Sequence, residues 1–143
     1  MEKLSENLKK KFSADIEILS EAPVFTVLKL NNKKLIKKTV WELRPYFDIL
    51  YSLAVVDYSP IFELNYVFSN YSNAEVLVMK VNIDEKDYNI DSISGIFDSA
   101  NWEEREAYDC ILAAYFLSTH PMKTGIKAVT ITARMAIITK LIT

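Results

Sequence analysis

The chain is poor in the residues from which metal sites, disulfides and phosphate loops are made. Its 143 residues include one Cys, one His, two Gly and four Pro. A single Cys excludes an internal disulfide, and one Cys with one His cannot by themselves build a zinc site. There is no cysteine set for an iron–sulfur cluster. Two glycines make a Gly-rich phosphate cradle implausible. So little Gly and Pro also argues against a loop-dominated or disordered chain. No run of about twenty apolar residues occurs, as a membrane-spanning helix would need. The first residues, Met-Glu-Lys-Leu-Ser-Glu-Asn, lack the apolar core of a signal peptide. These absences together read as an intracellular soluble chain that binds no cofactor of its own.

What is present suits a globular domain. Half the residues are hydrophobic and a quarter charged, and the length allows one domain with a real core. Net charge is −2, so nothing global points to nucleic acid. The charge is arranged in blocks. Nine of the seventeen basic residues precede Thr39, whereas Glu75 to Asp109 holds ten acids and three bases. After Asp109 there are four bases and no acid. Such blocks either meet partners of complementary charge or neutralise each other within the fold.

Hydrophobic periodicity gives the elements. Met1 to Phe12 reads as a helix with Leu4, Leu8 and Phe12 on one stripe, its C-terminal end favoured by Lys9, Lys10 and Lys11. Asp15 to Leu19 alternates as a half-buried strand. Glu21-Ala22-Pro23 turns the chain into a β-branched second strand, Val24 to Leu30. Asn31 or Asn32 caps a helix whose apolar face is Leu35, Ile36, Val40 and Leu43. Pro45 ends it and biases Arg44 toward extended geometry. The lysines on its other face, Lys33, Lys34, Lys37 and Lys38, are either the wet side of an amphipathic helix or a phosphate- or nucleic-acid-binding cluster.

Phe47 to Val56 is almost continuously apolar and reads as a buried central strand. Ile61 to Ser69 and Ala74 to Val81 alternate as strands joined by the loop Asn70-Tyr71-Ser72-Asn73, which makes an antiparallel meander. Asp91 or Ser92 caps a short helix through Phe97. A long helix then runs from Trp102 to about Leu117, with no polar side after Cys110 until Ser118 except the Tyr115 hydroxyl. The expected fold is α+β, a mixed or largely antiparallel sheet of about five strands with helices packed on one face. Residues 1–121 form one domain and residues 122–143 a tail.

The densest charge lies at the start of that long helix, Ala100-Asn-Trp-Glu-Glu-Arg-Glu-Ala-Tyr-Asp109. Asn101 is a good N-cap, and Glu103 and Glu104 suit the first turn. Trp102, Arg105, Glu106 and Asp109 share one face, with Arg105 within reach of Trp102 and Asp109. On residue types alone this is a salt-bridged surface helix. Yet Ala100, Asn101, Trp102, Glu104, Arg105, Glu106, Tyr108 and Asp109 also resemble the signature of a known family, the C subunit (thirty-kilodalton subunit) of respiratory complex I, NADH:quinone oxidoreductase. That family extends to the matching subunits of membrane-bound hydrogenases. The resemblance runs from about Glu17 to Asp109. It includes the strand that ends in Val56-Asp57-Tyr58, and Asp91 to Phe97 before the helix.

The resemblance implies a non-catalytic peripheral-arm subunit of a complex I-like oxidoreductase. Such a subunit holds no redox centre and braces the hydrogenase-like large subunit and the iron–sulfur small subunit. The parent complex is then a quinone-reducing dehydrogenase or an energy-converting hydrogenase; a free-standing adaptor derived from the family is the alternative. Localisation would be cytoplasmic, on the inner face of the cell membrane, with membrane contact only through partner subunits and no nucleic acid. Trp102, Glu104, Arg105, Glu106 and Asp109 are the implied partner interface, since interfaces favour Arg and aromatics at their centres.

The pattern departs from the family after Asp109. Cys110-Ile-Leu-Ala stands where an apolar residue, Phe and Gly are usual, and His120-Pro121 comes about two residues later than the family's His-Pro. Met122 to Thr143 lacks the usual basic and aromatic tail. Val129 to Ala133 alternates as a strand, while Ile131, Met135, Ile138 and Ile142 fit a helix equally. No catalytic set emerges. Cys110 sits in an apolar run that suppresses thiolate formation, and His120 is better suited to capping or packing. Carboxylates expected beside Arg105 do not suit the role of a general acid.

Overall fold

The computed structural model describes residues 2–58 and 60–119. The chain runs α1 (Glu2–Lys11), β1 (Ile16–Ala22), β2 (Phe25–Leu30), a short 3-10 turn (Lys33–Leu35), α2 (Ile36–Leu43), β3 (Ile49–Asp57), β4 (Ile61–Ser69), β5 (Val76–Asp84) and α3 (Ala100–Thr119). His120, Pro121 and the tail expected at 122–143 lie outside the described residues.

The five strands form one mixed sheet in the order β1-β2-β5-β4-β3. The β1–β2 hairpin and the β3–β4–β5 meander are antiparallel. The two units meet through a parallel pairing of β2 with β5, from Phe25 opposite Val76 to Leu30 opposite Val81. Alternation decides the faces. Leu28, Leu30, Phe62, Leu64, Tyr66, Phe68, Leu77, Met79, Val81 and Ile83 point to one side and are buried. Leu4 and Leu8 of α1, Ile36, Val40 and Leu43 of α2, and Ala107 and Ile111 of α3 close over that side. Each such large side chain, taken fully out of water, contributes roughly 1.5–3 kcal/mol. The α+β fold with helices on one face is therefore as the pattern of the chain indicates.

Several local expectations are corrected. The apolar run at Phe47 to Val56 forms the edge strand β3, not a central one; the central strand is β5. The run is apolar because Leu50, Leu53 and Val55 face the core while α3 packs beside the strand. Tyr51, at a bulge between Leu50 and Ser52, turns outward. Strand β1 continues through Glu21 and Ala22, and the turn is at Pro23-Val24. Arg44 precedes Pro45 but keeps helical angles, φ −52° and ψ −39°. Its N–H bonds to Val40 O, its guanidinium donates to Phe47 O at 3.2 Å, and it lies 5.1 Å from the Phe97 ring centroid. Those contacts outweigh the steric bias before proline. Residues 91–97 form turns and no helix, with Ile93 and Phe97 plugged into the core. Asn101 is not the N-cap, because α3 begins at Ala100.

Candidate functional site

The start of α3 sorts its side chains by angle, at about 100° per residue. Ala100, Ala107 and Ile111 form the buried stripe. Glu103 and Glu104 flank that stripe on either side, and each is used inside the fold. Glu103 Oε2 accepts from Leu53 N at 3.0 Å, and Ser99 Oγ, just before the helix, donates to Leu50 O at 2.9 Å. Both partners are backbone groups of the edge strand β3, so α3 occupies polar groups that would otherwise invite another strand. The order of the two contacts also shows that α3 and β3 run in the same direction.

Glu104 faces the opposite flank. Its Oε2 accepts from Ser92 Oγ at 2.6 Å and its Oε1 from Ile93 N at 2.8 Å. One carboxylate thus fixes the turn that carries Ile93 into the core. Burial, and after it the Glu104 carboxylate, push the Tyr66 hydroxyl well above the ordinary phenol range.

The remaining signature residues face outward. Trp102 is 65% exposed and Tyr108 60% exposed; Arg105 and Asp109 are exposed and Glu106 is half-buried. The Trp102 indole N–H donates to Glu106 Oε1 at 2.9 Å. Arg105 pairs with neither Trp102 nor Asp109: among the described residues no ion pair involves Arg105 or Asp109, although the i,i+4 spacing would permit one. Arg105, Tyr108 and Asp109 line an open cleft with Asn101 and Glu104. Exposed Tyr51 stands on the neighbouring β3 bulge, between the residues that Ser99 and Glu103 hold.

Of the five residues expected at an interface, the structure brings Trp102, Arg105, Glu106 and Asp109 to one outward surface and turns Glu104 inward. Sequence reasoning missed Ser99 and Glu103 as stitches to β3, and Tyr51 and Tyr108 as exposed aromatics. Tyr108 was legible from its helical offset from Arg105; Tyr51 was not, because only the bulge turns it outward. Cys110 is half-buried. Among the described residues no group of three or more His, Cys, Asp and Glu could hold a metal ion, and no helix is long and apolar enough to cross a membrane.

Residues 26–111 match the family model of the respiratory-chain NADH dehydrogenase 30 Kd subunit. The chain is 37% identical over 71 residues to the C subunit of NADH-quinone oxidoreductase from Roseiflexus sp. (strain RS-1), covering 48% of this chain and 40% of that protein. It is 35% identical over 77 residues to the C subunit of F(420)H(2) dehydrogenase from Methanosarcina mazei, covering 52% and 48%. The chain spans about half the length of these relatives. Among solved structures, it superposes on a chain of the membrane-bound sulfane sulfur reductase, an archaeal respiratory membrane complex, with a TM-score of 0.65 and 17% identity over 76% of this chain and 65% of that one. A trypsin-resistant fragment (1–134) of Nqo5 superposes with a TM-score of 0.63 and 18% identity, over 75% and 90%. At such identities the superpositions establish the fold. The family match spans more than half of the chain and contains the whole signature, and with it the chain belongs to the respiratory-chain NADH dehydrogenase 30 Kd subunit family, the C subunits of complex I and its relatives.

Proposed function

We propose that the chain is a non-catalytic subunit of the peripheral arm of a complex I-like oxidoreductase, in which it braces the hydrogenase-like large subunit and the iron–sulfur small subunit. The observation that carries this reading is the division of the family signature. Glu104 secures the fold, while Trp102, Arg105, Glu106 and Asp109 share one outward face on which Trp102 bonds Glu106, with Arg105 and Asp109 outside any ion pair among the described residues. An exposed Arg beside exposed aromatics is the composition of an interface centre. The quinone-reducing reading follows the NADH-quinone oxidoreductase relatives; the F(420)H(2) dehydrogenase relative supports a different electron donor within the same architecture.

In this reading the chain binds no metal, flavin or nicotinamide, since one Cys and one His supply no ligand set. It sits on the cytoplasmic side of the membrane and touches the membrane only through its partners. The test is affinity purification of the tagged chain from membranes of its source. Co-elution with a large subunit and a cysteine-rich subunit that carries the iron–sulfur signals is expected, with no metal or flavin in the chain purified alone. Elution of the chain by itself, or stoichiometric metal in the isolated chain, would overturn the reading.

A further inference from the structure

We propose that the outer surface of α1 and α2 is a second docking face, and that the partner it fits is an acidic protein surface, distinct from the partner of α3. The inference rests on the reading of the chain as a subunit. On α2, Lys37, Lys38 and Trp41 share one helical stripe, opposite the buried Ile36, Val40 and Leu43. Trp41 is 59% exposed at its centre. The basic last turn of α1 is held beside it, with Lys11 Nζ 2.6 Å from Glu42 Oε2, and Lys9 and Lys10 of the same turn are exposed.

The alternative is that the basic and acidic blocks cancel within the fold, and among the described residues Lys11 pairs with Glu42 and Lys33 with Asp87, each at 2.6 Å. Lys9, Lys10, Lys37 and Lys38 have no ion pair among the described residues. An exposed indole flanked by Lys37 and Lys38 has the anatomy of an interface hot spot with a charged rim. Its complement is a surface of carboxylates around an apolar contact.

Two other anionic partners fit less well. Adsorption to a bilayer scales with the apolar area a helix can insert, and the apolar side of α2 is spent in the core, leaving Trp41 alone on the stripe. Phosphate recognition favours the planar fork of Arg; Arg44, the next basic residue along α2, is already engaged by Phe97 and Phe47 O. The α3 face is of the other sign, with one cation, Arg105, beside Glu106 and Asp109. The two faces therefore select different partners.

Zero-length carbodiimide cross-linking of the complex purified through the tagged full chain tests this, because it joins only lysine amines and carboxylates in contact. Lys37 or Lys38 is expected to join an Asp or Glu of another subunit. A Lys37→Glu/Lys38→Glu chain should lose that subunit at least tenfold while retaining the one that depends on Arg105, and Trp41→Ala should weaken the same subunit. A charge-reversed chain that recovers the full complex, or a wild-type complex with no cross-link from this surface, overturns the inference and leaves the proposed function standing. Binding of the wild type, lost in the double variant, to vesicles of phosphatidylglycerol or to a duplex DNA would overturn it in favour of those partners. If the wild-type chain recovers no other subunit at all, the proposed function falls and this inference falls with it.

Discussion

Replacement of Glu104 by Ala separates the two roles assigned to the signature. The carboxylate accepts two hydrogen bonds from the turn before α3, one from Ser92 Oγ at 2.6 Å and one from the part-buried Ile93 N at 2.8 Å. A hydrogen bond to a charged group is worth about 1.5–3 kcal/mol, and the exposed Ser92 contact belongs at or below the low end of that range. Removal leaves the Ile93 amide without its acceptor beside a core in which Ile93 is fully buried. The expected loss is about 2–3 kcal/mol. For a domain of this size that lowers the melting temperature by roughly 6–10 °C. Glu104→Gln should cost about half as much, since the amide oxygen can still accept from Ile93 N while its NH2 turns to Ser92. Thermal unfolding followed by circular dichroism gives the magnitude, and amide exchange at Ile93 gives the location. A Glu104→Ala protein that melts within about 2 °C of wild type, or that leaves Ile93 protected, would refute the clamp.

Three further outcomes are expected. Glu103→Ala should free the Leu53 amide at the sheet edge, cost about 1 kcal/mol and raise the concentration-dependent aggregation seen by light scattering; an unchanged scattering curve would contradict the edge-covering role. Thr26→Val removes a buried hydroxyl with no hydrogen-bond partner among the described residues in an exchange of similar shape, and should raise stability to urea by about 1 kcal/mol; a loss of stability would contradict the unsatisfied state of that hydroxyl. Asp87 has its carboxyl held below the ordinary aspartate range, chiefly by the hydrogen bond from Lys33. A depressed folded value places that contribution above the unfolded pKa and removes it as pH falls through the folded one. The acid limb of a melting-temperature profile should therefore flatten in Asp87→Asn, and an identical limb would refute the linkage.

The architecture was largely legible because the chain alternates in residue type along its strands. Phe62, Leu64, Tyr66 and Phe68 against Glu63, Asn65 and Val67 leave no freedom in the register of β4. Strand order was not legible. The apolar run of β3 satisfies the pattern of a central strand, and only the docking of α3 shows why an edge strand can be so apolar. Side-chain roles in the signature were half legible. Helical offsets predict that Trp102, Arg105 and Asp109 face outward together, but Glu104 differs from them by a bond to Ile93, eleven residues away, and no local spacing reveals that. Asn101 looks like a cap by residue type, yet the backbone of Phe97 and Asp98 already starts the helix one residue earlier.

The central claim is that the outward face of α3 serves assembly, and Arg105 is the residue that tests it. In the free chain Arg105 is exposed and has no ion pair among the described residues, so Arg105→Ala should shift folding stability by less than about 0.5 kcal/mol. Beneath a partner the same change would leave a partner carboxylate that meets Arg105 without its cation in a desolvated contact, at about 2 kcal/mol or more of binding energy. Arg105→Lys should restore little, because an ammonium lacks the planar fork. The measurement pairs the melting temperature of the variant with its recovery by the large subunit of its complex. An unchanged melting temperature with recovery reduced at least tenfold is the expected result; a variant that melts far below wild type yet still binds the large subunit would contradict the assembly role.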